Sequence, residues 1–122
     1  MAAIEVLANK SSAGELTTAQ VDEYAYAQGQ TTGEVYDALA FYLAVRFAAD
    51  VLPFEFCDSA MNFIVGLTRY DVPQFAWSVY SAFDEGEFHH AEDGRDEDPV
   101  EKYTRPWINT ILEEAGIDTP AA

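Results

Sequence analysis

Two adjacent histidines, His89 and His90, lie in the most acidic part of the chain and are the residues best suited to chemistry. Imidazole and carboxylate groups bind zinc and iron and act as general acids and bases. Neighbouring side chains point about 100° apart on a helix and oppositely on a strand, so two adjacent histidines are poor joint ligands. Neither His-Glu-x-x-His nor a paired Glu-x-x-His pattern occurs. His89, His90 and Asp93 are therefore weak metal-site candidates, and the sequence predicts no cofactor.

The carboxylates around these histidines form the densest charged run in the chain. Between Asp84 and Glu101 there are nine acidic residues and one basic residue, Arg95, so this stretch carries half of the formal net charge of -16. No window fits the calcium-binding pattern Asp-x-Asp-x-Asp-Gly-x5-Glu. We expect residues 86–98 to form an acidic loop, which serves either as a solvated surface or as a docking site for a basic protein.

As a docking site, the acidic loop would combine charge with aromatic anchors. Carboxylates attract a basic partner over a Debye length of about 8 Å at physiological salt. Aromatic side chains supply much of the binding energy in protein interfaces. The predicted partner-binding residues are Asp93, Asp96, Glu97, Asp98, Phe88, Tyr103 and Trp107.

A second group of polar residues recurs at helical spacing from Glu55 through Asp58 to Asn62. It could meet Glu34 and Asp37 of the preceding helix and form a carboxylate pair for acid–base catalysis, although such a stripe is more typical of a solvent-exposed helix face. No nucleophile elbow, phosphate-binding glycine loop or dinucleotide fingerprint is present. The sequence favours a non-enzyme, with a carboxylate and histidine hydrolase or a metal-binding protein as the alternative.

The overall charge limits the kinds of partner. Twenty-two acidic residues stand against 6 basic ones, and the isoelectric point is near 4.1. A field of this sign repels phosphate backbones and anionic lipid, which argues against direct nucleic-acid or membrane binding and favours a basic protein partner. The same composition also suits solubility or a salty cell interior.

Cysteine content and hydropathy bear on the compartment. The single cysteine, Cys57, cannot form an internal disulfide and is expected to be a small buried hydrophobe. The N-terminus lacks the pattern of a secretory signal. The most apolar segment, residues 38–45, is far shorter than the about 20 residues that span a bilayer. We expect a soluble cytoplasmic protein.

Helix start and stop signals recur along the chain. Thr17 with Gln20, and Thr31 with Glu34, have the spacing of capping boxes, and Gly29 follows the first helix as a stop. The second of these helices, over about 31–52, is apolar on nearly all sides, which predicts a position at the centre of a bundle.

Further helices are predicted over 53–70, over 73–86 and from Pro99 onward, with a break near Thr104 or Arg105 because Pro106 cannot donate a backbone hydrogen bond. Residues 1–16 are weakly patterned and are left open as a short helix or a flexible arm. We therefore expect an all-α compact bundle of about five helices, with residues 1–122 as a single globular domain.

These observations favour a small protein that acts by protein-protein contact. One concrete form is an inhibitor, or an immunity-type protein, whose carboxylates cover the basic active site of a nuclease or another cationic target. A third possibility is a subunit of a homo-oligomer that buries the aromatic residues between copies.

Overall fold

A computed structural model describes residues 3–116, which form a compact bundle of helices. The helices are α1 (Ala3–Ser12), α2 (Thr18–Gln28), α3 (Thr32–Ala48), α4 (Phe54–Leu67), α5 (Gln74–Glu85) and α6 (Arg105–Glu114). A π-helical turn, Val100–Thr104, leads directly into α6. No strand occurs between residues 3 and 116, and no helix in this range is long and apolar enough to cross a membrane. The predicted all-α bundle is confirmed, with six helices instead of about five.

Both predicted capping boxes are present. The hydroxyl of Thr17 accepts from the Gln20 backbone N–H at 3.2 Å, and the Gln20 side chain accepts from the Thr17 N–H at 2.9 Å. Thr31 and Glu34 make the same reciprocal pair at 3.1 and 2.8 Å. Gly29 ends α2 in the left-handed conformation, with φ 66°. Local side-chain chemistry therefore sets both ends of α2 and the start of α3.

The central position of α3 is also confirmed, since it packs against α1, α2, α4, α5 and α6. Its buried residues lie on almost every side of the helix: Val35, Tyr36, Leu39, Ala40, Leu43, Ala44, Phe47 and Ala48. The helix ends before the predicted boundary near residue 52. Asp50 adopts a left-handed φ of 59°, and the N–H groups of Val51 and Leu52 both turn back to the carbonyl of Arg46.

The weakly patterned N-terminal segment is helical over Ala3–Ser12 and packs against α3 and α4 instead of forming an arm across these residues. Leu7 and Ala8 are buried in the common core. Ser11 is also buried, and its hydroxyl donates to the Leu7 carbonyl at 2.8 Å. A serine that reads as a loop residue in the sequence thus satisfies its hydrogen bond inside its own helix.

Helices α4 and α5 form an antiparallel pair joined by residues 68–73. The end of α5 therefore lies beside the start of α4, where the rings of Phe54 and Phe83 are 6.1 Å apart. Phe83 also packs edge-on against Phe47 of α3, at 5.3 Å. Cys57 is fully buried near this contact, and burial together with the charge of Asp58 raises the pKa of its thiol to about 12. The thiol therefore stays protonated at neutral pH and is a poor nucleophile.

The break predicted near Thr104 or Arg105 does not occur. The chain accommodates Pro106 with a widened helical turn instead. The N–H of Arg105 bonds to the carbonyl of Val100, a spacing of five residues instead of four, and Pro106 then occupies the first turn of α6. Proline is tolerated there because its missing N–H would have no partner within the helix. The helix continues and buries Ile108, Ile111 and Leu112.

The end of α5 and the π-helical turn approach closely at Gly86. A Cβ on Gly86 would collide with the Thr104 hydroxyl and would lie 2.9 Å from Cε1 of Phe54. The Thr104 hydroxyl is buried and donates to the Ala82 carbonyl at 2.6 Å, so it cannot move away without losing a buried hydrogen bond. The bundle therefore requires glycine at this position.

We expect Gly86→Ala to lower the free energy of unfolding by about 1–3 kcal/mol, because the added methyl overpacks this contact. Gly66→Ala is the matched control, since Gly66 is exposed within α4 and an added Cβ meets nothing within 4 Å. That change should raise the free energy of unfolding by up to ~1 kcal/mol through helix propensity. Urea unfolding measures both values, and equal stability of the two variants would contradict the close-contact explanation.

Candidate functional site

The acidic loop, residues 86–98, is organised by the carboxylate of Asp93. Its side chain is 0% exposed and accepts hydrogen bonds from the Lys102 ammonium, the Tyr103 hydroxyl at 2.6 Å and the His90 backbone N–H at 2.9 Å. The hydrogen bonds from Lys102 and Tyr103 hold the pKa of Asp93 well below its usual range. Asp93 is thus a structural centre whose charge is already matched within the chain.

The two histidines have different surroundings. His89 is exposed, whereas the ring of His90 packs between Phe88 and Tyr103, with centroid distances of 5.0 and 4.3 Å. Nε2 of His90 lies 2.8 Å from the Glu85 carboxylate, which makes an ion pair when His90 is protonated. Within residues 3–116 no group of three or more His, Cys, Asp or Glu side chains is arranged to hold a metal ion.

The other predicted partner-binding residues are spread around this loop. Glu97 shares Lys102 with Asp93, at 2.7 Å, and Asp98 accepts from the Val100 N–H at 2.9 Å. Asp96 is exposed. Phe88 and Trp107 are 51% and 38% exposed, with Trp107 on α6. The structure brings Asp93, Glu97 and Tyr103 together around Lys102, and it leaves Asp96, Phe88 and Trp107 on the surface.

A second group of carboxylates forms where the start of α4 meets the end of α5. It consists of Glu55, Asp58, Asp84 and Glu87. Glu87 also belongs to the acidic loop. The Asn62 amide donates to the Glu87 carboxylate at 2.8 Å. The two negative regions are therefore continuous through Glu87.

Among residues 3–116, no cation offsets the charges acting on Asp58. Burial raises the pKa of Asp58 to about 8, together with its hydrogen bond to Glu87 and the charges of Glu87, Asp84 and Glu55. Burial and the charges of Glu87 and Glu85 also raise the pKa of Asp84. The raised pKa favours the protonated form of Asp58 at neutral pH, in which its carboxyl can donate a hydrogen bond to Glu87.

This cluster differs from the carboxylate pair that the sequence suggested. Asp37 does not join the stripe on α4, because its carboxylate accepts from the Ala76 N–H at the start of α5, at 3.1 Å. The partners of Asp58 come instead from the end of α5. Antiparallel packing of α4 and α5 could have identified them, since it places the acids that flank Gly86 beside the first turns of α4.

Three aromatic side chains adjoin the cluster, of which Tyr70 is exposed and Trp77 and Tyr80 are half-buried. Tyr70, Trp77 and Tyr80 form a ridge, with ring-centroid distances of 6.4 Å for the first pair and 5.2 Å for the second. Tyr70 is 68% exposed. The ridge lies close enough to the carboxylates to be influenced by their charge. Burial raises the pKa of Tyr80, and the charge of Asp84 raises it further, with smaller effects of Tyr70, Glu87 and Asp58. We call this surface the acid–aromatic face: Glu55, Asp58, Asp84, Glu87, Tyr70, Trp77 and Tyr80.

The turn that presents Tyr70 has an uncommon backbone. Arg69 and Tyr70 both adopt left-handed conformations, with φ 55° and 68°. This region disfavours bulky side chains and costs roughly 1–2 kcal/mol per residue. Sequence reasoning missed the ridge because nothing in the letters "RYD" marks a left-handed tyrosine.

Comparison with family models, with curated proteins and with solved structures found no match to this chain. Function therefore has to be argued from the geometry of the two acidic regions and the ridge.

Replacing Asp93 should destabilise the protein in a pH-dependent way. Because its pKa is lower in the folded chain, Asp93 stabilises the fold at pH values above about 4, and this contribution is lost as the pH falls further. We expect Asp93→Asn to lower the Tm at pH 7 and the difference from the unmodified chain to shrink below about pH 4. Asp96→Asn, on the exposed part of the loop, is the control and should leave the Tm nearly unchanged. A similar loss in both variants would contradict the central role of Asp93.

Asp58 should have the opposite effect. Because its pKa is raised to about 8 in the folded chain, its contribution to stability falls between about pH 4 and pH 8 and is level above that. Asp58→Asn removes this loss and keeps a group that can donate to Glu87. We expect the variant to have the higher Tm at pH 8 and the advantage to decrease toward pH 4, measured by thermal unfolding across this range. An advantage that does not change with pH would contradict the raised pKa of Asp58.

Proposed function

We propose that this chain is a protein-protein interaction module that binds a basic partner through the acid–aromatic face. The observation that carries the proposal is the meeting of two features at one surface: carboxylates whose charged neighbours are themselves acidic, and a partly exposed aromatic ridge beside them, with Tyr70 as its exposed ring. The acidic loop next to this face would steer the partner, since exposed charge raises association rates more than affinity.

The carboxylate cluster favours a partner that brings a lysine or arginine. In the free protein the charges of Asp84 and Glu87 repel any charge on Asp58. A cation placed against Asp58 would remove this repulsion and lower its pKa, so Asp58 would lose its proton on binding. Binding should therefore release a proton at neutral pH and become tighter as the pH rises toward 8.

The aromatic ridge supplies what charge alone does not. Tyr70, Trp77 and Tyr80 are of the residue types that dominate interface energetics and that hold cations against ring faces. The strained backbone at Tyr70 keeps its ring outside the bundle, and strain of this kind is common at recognition sites. A second copy of this chain suits the face less well, because it would bring the same formal charge of -16.

One concrete form of this function is an inhibitor or immunity-type protein in the cytoplasm. Its carboxylates would occupy the phosphate-binding surface of a nuclease or another cationic target. The available acids extend from the face through Glu87 to Glu92 and Asp96 of the acidic loop, both of which are exposed. Asp93 contributes to the shape of this surface and not to its free charge, because its carboxylate is enclosed.

A second candidate function is acid–base hydrolysis at Asp58 and Glu87. Two neighbouring carboxyl groups, one of them with a pKa raised to about 8, are suited to act as acid and base. This candidate replaces His89 and His90 as the site of the chemistry. It requires Asp58→Asn to abolish turnover of a substrate, whereas the docking function requires only that Asp58 lie within a negative surface.

The docking function can be tested with decalysine as a model basic segment, by titration calorimetry at low salt. We expect Glu55→Gln with Glu87→Gln to weaken binding by about tenfold or more. The matched control is Glu92→Gln with Asp96→Asn, which removes the same charge from the acidic loop and should have a smaller effect. Equal losses would point to diffuse charge, and a larger loss in the control would move the docking site to the loop; either result contradicts the proposal.

Two further readouts belong to the same experiment. Heats measured in buffers of different ionisation enthalpy should show proton release at pH 7 that disappears in Asp58→Asn. Tyr70→Asn removes the ring and suits a left-handed backbone, so it should weaken binding while stability stays level or rises by up to ~1 kcal/mol. Full binding by Tyr70→Asn would show that the ridge plays no part.

A further inference from the structure

In contrast to the acidic surfaces described above, a largely apolar cavity with a basic residue lies between α1, α2 and α3 and has a volume of about 380 Å³. Its apolar walls come from Ile4 of α1, Tyr24 of α2, and Ala38 and Phe41 of α3. This volume is within the range of small-molecule sites, roughly 300–1,000 Å³. None of the residues that line the cavity is acidic, although the chain contains 22 acidic residues.

Arg46 is the charged residue of this cavity. Its guanidinium stacks on the ring of Tyr42, which also lines the cavity, with 3.9 Å between the guanidinium carbon and the ring centroid. Lys102 and Arg105 are paired with carboxylates, whereas Arg46 makes no ion pair within residues 3–116. The stacking fixes the plane of the guanidinium and leaves its fork of N–H donors for a ligand. The amides of Gln28 and Gln30 add further polar groups to the lining.

The cavity has a neighbour. A second cavity, of about 390 Å³, lies between α1 and α2 and shares Tyr24 and Gln28 with the first, so the two are adjacent. Val6, Leu7 and Ala27 give it apolar walls, and Lys10, Gln20 and Glu23 also line it. The two cavities together suit a ligand longer than it is wide, with a polar group at the Arg46 end.

We propose that these adjacent cavities bind a monoanionic amphiphile, a long-chain carboxylate, with its head group on Arg46 and its alkyl chain along the walls from Phe41 toward Ala27. A carboxylate matches the planar fork of arginine in a bidentate arrangement. A single negative charge is favoured because, among the described residues, Arg46 is the one cation that lines the first cavity, and the net charge of -16 repels each further negative charge on a ligand. An apolar chain is favoured because burial of methylenes supplies the remaining binding energy.

Decanoate is a suitable probe, used below its aggregation concentration and followed by titration calorimetry. We expect saturable binding to the unmodified protein, and shortening the probe to octanoate should weaken binding by about tenfold. Arg46→Gln should weaken decanoate binding by about tenfold to a hundredfold, since it removes a charged hydrogen-bonding partner. Arg95→Gln, which removes an equal charge from the exposed acidic loop, is the matched control and should bind as the unmodified protein does.

A second variant tests the cavity itself. Ala38 is half-buried and lines the first cavity, so Ala38→Phe would fill that space while keeping Arg46, and decanoate binding should be lost. Circular dichroism and Tm confirm that each variant folds, and Arg46→Lys retains the charge where Arg46→Gln proves unstable. Absence of saturable binding, equal effects at Arg46 and Arg95, or full binding by Ala38→Phe would each overturn the proposal. None of these outcomes bears on decalysine binding at the acid–aromatic face.

Discussion

This protein has to fold against its own charge. With 22 acidic and 6 basic residues, most carboxylates cannot have a cationic partner, and the compact state brings them closer together than the unfolded chain does. The core that opposes this repulsion centres on α3, which is buried on nearly all sides, and on the rings of Phe47 and Phe83. The positions of the few cations then decide which acids are paired within the fold and which remain without a cationic partner.

Two of the six cations are used to hold the C-terminal part of the chain. Lys102 joins Asp93 and Glu97, which gives the acidic loop a fixed shape without regular secondary structure. Arg105 reaches both Glu101 and Asp50, and its guanidinium lies over the ring of Phe47, which ties α6 to the end of α3. In the described part of the chain no cation lies among the groups that shift the pKa of Asp58, so the negative charge around it remains unbalanced. The same scarcity makes Arg46, beside an apolar cavity, an unusual use of a positive charge.

The parts of the fold that sequence could predict are those that local chemistry decides. Thr17 and Thr31 mark helix starts because a capping box needs only residues three apart, and α3 is recognised from its continuous apolar surface. The helix α1 lacked a strong pattern because Ser11 is a buried polar residue whose hydrogen bond is invisible in the sequence. Charge density marks residues 86–98 as acidic, but it cannot say which of their carboxylates have a cationic partner.

Whether each carboxylate is paired determines where the candidate site lies. Nothing in the sequence distinguishes Asp93 from Asp96, yet Asp93 is enclosed by donors from residues nine and ten positions later in the chain. Asp58 looked like an ordinary solvent-facing acid until α5 brought Asp84 and Glu87 against it. Whether a carboxylate is free or paired depends on tertiary contacts, and the left-handed backbone at Tyr70 depends on them as well.

The π-helical turn before α6 has a consequence for the geometry of the whole C-terminal segment. A π turn contains one residue more than an α turn, and each additional residue rotates the downstream helix by about 100°. Two independent anchors hold the C-terminal end of the turn, the Thr104 hydroxyl on Ala82 and the Arg105 guanidinium on Asp50. The surplus residue therefore rotates α6 by about 100° relative to an uninterrupted α-helix from Val100, and with this rotation Ile108, Ile111 and Leu112 are buried in the core.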